Sequence, residues 1–280
     1  MTDTGAFGGD PNVKAALLAR IDRHVADGTM TFGDSAWTGD GGSALGVSIA
    51  GIDPATYAAA FGYPLPLAAL LDPLARDLSE AGDAPAFVRS WVSTVTPGAD
   101  LSGVPTRLML YMLDDPRLRG IDDALADRLV GLHCRDLDGS PGDRGEWSSV
   151  RRSILAAKQD ADPRATAFVV GLWEVAAWPA ARGRSTLVAT FNAWRQLQAI
   201  VDDPEWSRED ECRKEAKMKA LWYAHAPAAD GGEVDLAALF EASDPALARR
   251  SNRNLRRVRD ALHGAAPLLA DRCTALFRDA

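Results

Sequence analysis

Asp100, Arg107 and Glu174 are the residues in this 280-residue chain whose types suit a polar pocket. Asp100 and Ser102 lie in TPGADLSGVPTRL, a turn that leads into a helix, with Arg107 one or two turns further on. A carboxylate and a guanidinium at that spacing can orient a polar ligand. The same aspartate can simply cap the helix, which explains it without a ligand. Glu174 is the single charge in the apolar run ATAFVVGLWEVAAWPAA, 165–181. A carboxylate buried alone there has a raised pKa and can act as an acid or base. A basic partner or a solvent edge is the favoured reading, because uncompensated buried carboxylates are costly.

A second pattern is electrostatic. Arg249, Arg250, Arg253, Arg256 and Arg257 fall within an arc of about 120° when stepped at 100° per residue, with Leu255, Val258 and Leu262 on the opposite face. Residues 245–280 hold eight arginines against three aspartates, in a chain whose net charge is −8. A stripe of this kind suits an acidic protein surface or a nucleic-acid backbone. A solvated face, or a match to the acidic remainder of the chain, explains it more simply. The stripe lacks aromatic residues for base stacking, which counts against single-strand binding.

Other chemistries find no support. His24, His133, His225 and His263 are isolated from one another, and no CxxC, HxxxH or HExxH spacing occurs, so no metal or other cofactor is implied. Cys134, Cys212 and Cys273 are an odd, scattered set; they suit a reducing compartment and read as core or spectator thiols. No GxSxG is present. The loop TGDGGSALG has the glycines of a phosphate cradle but neither Walker spacing nor a following Lys-Ser or Lys-Thr, and a hairpin turn is the preferred reading.

The elements that must position these residues are mostly helices. Asp-Pro recurs at 10–11, 53–54, 72–73, 115–116, 162–163, 203–204 and 244–245. Asp suits a helix N-cap and Pro the first helical position, so the pairs predict a succession of short helices. The 165–181 run predicts a buried central helix with Phe168, Leu172 and Val175 on one side and Val169 and Trp173 beside them. A helix from Ser185 with a stripe of Leu187, Phe191, Trp194 and Val201 is its expected antiparallel partner. Thr29–Phe32 and Leu45–Ile49 predict one small β-hairpin across the glycine-rich loop. The fold class expected is therefore all-α, a multi-helix bundle with one N-terminal hairpin. The loop DLDGSPGDRGE divides the chain into regions 1–140 and 141–280, or the two form one compact unit. No signal sequence or membrane span is expected, and the chain reads as cytoplasmic.

GDPNVKAALLARIDRH, GGSALGVSIAG, FGYPLP and TPGADLSGVPTRLMLYMLDDP, in this order between Gly9 and Pro116, resemble an uncharacterised family of bacterial and bacteriophage proteins. Many relatives carry cysteines in a GCAxGC pattern where this chain has Ser43 and Val47, so thiol or metal chemistry is not implied at those positions. The resemblance implies a soluble, mostly helical protein and no particular reaction. The first functional expectation is a non-enzymatic partner-binding protein in a regulatory, phage-related or defence-related setting. The second is an enzyme or small-molecule binder with a polar pocket between the halves, formed by Asp100, Arg107 and Glu174. The third is a nucleic-acid binder acting through the arginine helix.

Overall fold

Asp10 accepts a hydrogen bond from the Asn12 N–H at 2.8 Å, and Asp53 accepts one from Ala55 at 3.2 Å. Each holds the free N–H groups of a helix that begins with proline. The computed structural model describes residues 5–80, 82–159, 164–200, 203–225 and 234–280. Among them are thirteen α-helices and no strand. The first seven are α1 (Pro11–Ala26), α2 (Ala44–Ile49), α3 (Pro54–Phe61), α4 (Leu65–Ser79), α5 (Ala84–Ser93), α6 (Val104–Leu113) and α7 (Asp123–Leu137). Then follow α8 (Arg144–Gln159), α9 (Arg164–Ala176), α10 (Thr186–Gln198), α11 (Arg208–His225), α12 (Leu236–Ser243) and α13 (Pro245–Arg278). Among the described residues no single helix is long and apolar enough to cross a membrane.

The Asp-Pro pairs do more than one job. Asp244 caps α13 through the Leu247 N–H, and Asp115 caps a short 3-10 turn at Pro116–Leu118. Asp203 closes a turn with the Glu205 N–H at 2.9 Å and starts no helix there. Asp162 lies outside the described residues. Asp72 sits inside α4, and its carboxylate crosses to another helix.

That crossing overturns the expected hairpin. Leu45, Val47 and Ile49 alternate like a strand, but they form the short helix α2. Ser43 caps it, with its hydroxyl accepting from the Gly46 N–H at 3.1 Å. Asp72 accepts from the Leu45 N–H and the Ser43 hydroxyl, both at 2.8 Å. An anion from α4 thus satisfies the positive end of α2, 27 residues back in sequence. The loop before α2 holds only isolated bridges, Met30 with Gly42 and Trp37 with Gly42. Gly46 is required there because a Cβ would lie 2.0 Å from the Ala36 carbonyl oxygen.

Packing divides the chain into two compact units, Met1–Leu197 with His263–Ala280, and Gln198–Leu262. This is not the two-part division expected near residue 140. α7 and α8, which flank that loop, pack on each other and both contact α9, so both sides belong to unit 1.

The heart of unit 1 is aromatic, and it lies away from the 165–181 helix. Trp91 stacks on Tyr63 at 6.0 Å between ring centroids and meets Phe277 edge-on at 4.9 Å. Tyr57 and Phe61 pack beside them, 4.8 Å apart. Tyr63 donates its buried hydroxyl to the Trp91 carbonyl at 2.8 Å. The N-terminal segment closes this cluster. Phe7 is buried against Tyr63, the Ala6 N–H donates to the Ala99 carbonyl, and the Gly98 N–H donates to the Ala6 carbonyl. Lys14 donates to the carbonyls of Ser93 and Val95, closing the end of α5. The segments GDPNVK, FGYPLP and TPGAD therefore meet as structure.

α9 is buried as expected, but on a face rotated from the one expected. Val169, Val170, Leu172, Trp173 and Ala176 are inside, while Phe168 is 39% exposed. Its principal partners are α8 and α7. α10 is not the expected antiparallel neighbour. Leu187, Phe191 and Trp194 are buried, but the Trp194 indole N–H donates to Asp115 at 3.0 Å and Arg195 pairs with Asp77 at 2.5 Å. Those two carboxylates draw α10 onto the α4 and α6 side, and Val201 lies outside the described residues.

Unit 2 has a small core of Phe240, Leu247 and Ala248, with Trp206, Met218 and Leu221 packed against it. α11 buries none of its residues.

Candidate functional site

In unit 2, three arginines of the terminal stripe are already paired. Arg250 reaches Asp210 at 2.5 Å, Arg253 reaches Glu205 at 3.0 Å, and Arg257 pairs with Asp203. The Asp203 carboxylate is only 2% exposed. Arg250, followed by the Ser207 N–H, holds Asp210 below the ordinary carboxylate range. Arg249 and Arg256 are exposed and have no ion pair among the described residues. On the opposite face Leu255 is 52% exposed while Val258 and Leu262 are half-buried, and the acidic residues between 203 and 210 claim the arginine side. Residues 198–262 carry eleven basic and thirteen acidic side chains, so the stripe's charge is met within its own unit.

Glu174 is paired as well. Its carboxylate accepts from the Lys158 ammonium at 2.5 Å and is 33% exposed. It does not share a cleft with Asp100 and Arg107.

Asp100 and Arg107 are brought together. Both line a cleft of about 210 Å³ with Ser102, Asp279 and Leu276. Asp100 accepts from the Ser102 N–H at 2.8 Å. Ser102, through its hydroxyl and then its backbone, holds the Asp100 carboxyl below its ordinary value. Asp100 is thus a committed anion closing a turn onto Ser102. It does not cap α6, whose N-cap position is Gly103 with no side-chain hydrogen bond, so the expected helix cap is instead a turn one step earlier.

Arg107 and Leu137 also line a second, larger cleft of about 430 Å³, and this one was not legible in the sequence. α6 contributes Arg107, Leu110, Tyr111 and Leu113; α7 contributes Val130, Cys134 and Leu137; Arg119 comes from the loop between them and Arg272 from α13. Arg119 is held by Asp127 at 2.6 Å. The Arg272 guanidinium lies 5.7 Å from the centroid of the Tyr111 ring, which itself packs on Trp194. Neither Arg107 nor Arg272 has a carboxylate partner among the described residues. The sequence signal for Arg272 is faint: one arginine between Leu269, Cys273 and Leu276, all buried.

The remaining titratable groups are structural. His133 is fully buried, donates from Nε2 to the Ala176 carbonyl at 2.9 Å, and meets the Trp147 ring edge-on. Burial lowers its pKa to about 4, so it is neutral at neutral pH. Cys273 is buried and its thiol is pushed well up by desolvation, whereas Cys134 and Cys212 are exposed. No group of three or more His, Cys, Asp or Glu among the described residues is placed to hold a metal ion.

No protein-family model, curated protein or solved structure matches this chain.

Proposed function

We propose that this is a ligand-binding protein whose recognition site is the cleft lined by α6, α7 and the 263–280 part of α13. The observation that carries this reading is the pair of guanidiniums that form no ion pair among the described residues, Arg107 and Arg272, set beside half-buried leucines in a cleft of small-molecule size, a range of about 300–1,000 Å³. Polar groups converging on an apolar wall are what fix a ligand's orientation, whereas in unit 2 three of the five stripe arginines are already bound to carboxylates of that unit. Of the residues first expected to form a polar pocket, Arg107 keeps that role, Asp100 borders it, and Glu174 lies outside it.

The test is a thermal-shift screen of the full chain against a chemically mixed small-molecule panel, with hits mapped by hydrogen exchange. Protection is expected in peptides covering α6, α7 and 263–280. Hits that protect only 198–262 overturn the reading and return the role to the arginine stripe.

A further inference from the structure

We infer that the α6–α7–α13 cleft takes an amphiphilic carboxylate, a singly charged head on an apolar chain. This rests on the ligand-binding reading above and narrows it to a chemical class. The charge count sets the head. Arg119 is already paired with Asp127, and Asp114 is the one carboxylate on this cleft's wall. Asp100 and Asp279 border Arg107 in the adjoining cleft without forming an ion pair with it, so on this wall the guanidiniums exceed the carboxylates by about one. A guanidinium matches a carboxylate through two parallel N–H donors. Stacking on Tyr111 orients Arg272 without neutralising it, which leaves its donors for a ligand. The floor sets the body. Leu110, Val130 and Leu137 are only half-buried, and a bare inorganic anion would leave that apolar surface wet. A neutral chain would cover the floor but gain no ion pair from the two exposed guanidiniums.

Cys134 supplies the readout, because it is exposed and lies on the cleft wall. Cys212, exposed on α11 in unit 2, is an internal control. Iodoacetamide alkylation of each thiol in the full-length protein is followed by peptide mass spectrometry with octanoate, octanol or inorganic phosphate present. With octanoate at about four times its Kd, alkylation of Cys134 is expected to slow about fivefold, the ratio 1 + [L]/Kd, with Cys212 unchanged. Octanol and phosphate are expected to protect far less. The double variant R107Q/R272Q, changed at two surface arginines and checked by circular dichroism for folding, is expected to lose octanoate protection. Phosphate protecting as well as octanoate overturns the apolar half of the inference, and octanol doing so overturns the carboxylate half. Octanoate protection that survives in R107Q/R272Q overturns the assignment of the two arginines. If none of the three protects Cys134 while hydrogen exchange still maps other hits to α6 and α7, the chemical class is wrong and the binding site stands. If both measurements are blank there, both fall.

Discussion

The two units use arginine in opposite ways. In unit 2, Arg250, Arg253 and Arg257 follow one another along a single helix, and each ends on a carboxylate of its own unit. In unit 1, Arg107, Arg119 and Arg272 are spread over 165 residues, and two of the three end on no carboxylate at all. The set that looks functional in sequence is largely an internal brace, and the set that looks incidental faces an open cleft. The units also differ in what holds them. Unit 1 buries Trp91, Trp173, Tyr57 and Phe277 almost completely, whereas unit 2 buries three apolar residues among those described, Phe240, Leu247 and Ala248, and is braced by ion pairs.

The largest effect that tests this contrast is Trp91→Ala. Trp91 touches Tyr63, Phe87 and Phe277, so its removal opens a void at the meeting point of three aromatic rings. A loss of about 3–5 kcal/mol is expected in denaturant titrations followed by near-ultraviolet circular dichroism. Hydrogen exchange should place the loss in unit 1. Equal loosening of 198–262 would show that the two units share one stability.

What was legible in the sequence follows from the range of the interaction that decides each element. Asp10, Asp53 and Asp244 act on N–H groups two or three residues away, so the helices they start could be read locally. The hairpin reading failed because α2 is decided by Asp72, brought over by α4, against the local alternation of Leu45, Val47 and Ile49. The rotation of α9 is of the same kind: its apolar residues run all round, so only the neighbours choose which one is left outside, and they leave Phe168. The cleft was hidden for a further reason. Arg107 and Arg272 come together only when the end of α13 packs into the aromatic cluster through Phe277, and no spacing along the chain encodes that.

Acid sharpens the contrast, with the two units failing in different windows. His133 takes up a proton near pH 6.5 when unfolded but only near pH 4 when folded. Between those values the unfolded chain binds the extra proton, so unit 1 loses stability as the pH falls from 6.5 to 4. The full loss is about 3 kcal/mol at 1.36 kcal/mol per pKa unit. His133→Gln, which keeps a neutral donor for the Ala176 carbonyl, is expected to flatten that slope in urea titrations. In unit 2 the Asp210 carboxyl is depressed, so its contribution is present above the ordinary value of 3.8 and fades only as the pH falls below it. Exchange of 198–262 should therefore hold where that of α7 to α9 has already quickened.

Asp203→Ala is the next step down. It removes the acceptor for the Glu205 N–H and the partner of Arg257, whose own side chain is 44% exposed and can turn to water. The cost is expected at about 1–2 kcal/mol, well under that of a fully buried pair, and confined to unit 2. Raising the ionic strength should shrink it, since screening already weakens what the substitution removes. A cost that is unchanged by salt would make the turn, and not the charge pair, the reason for Asp203.

The smallest effect separates placement from appearance. Glu174 is the one charge in the most apolar stretch of the chain, which is what makes it look catalytic, yet its carboxylate is one-third exposed and rests on an ammonium that is half-exposed. A pair of that kind contributes about 0.2–1 kcal/mol, and Glu174→Gln keeps the side chain's length and an amide oxygen for Lys158. The melting temperature should therefore fall by no more than a few degrees, with the difference narrowing in high salt. Octanoate protection of Cys134 should be unaltered, because Glu174 lies on α9 and the cleft is built from α6, α7 and the end of α13. A Glu174→Gln chain that kept its melting temperature but lost that protection would join α9 to the binding face and undo the separation drawn between the two carboxylates, Asp100 beside the cleft and Glu174 outside it.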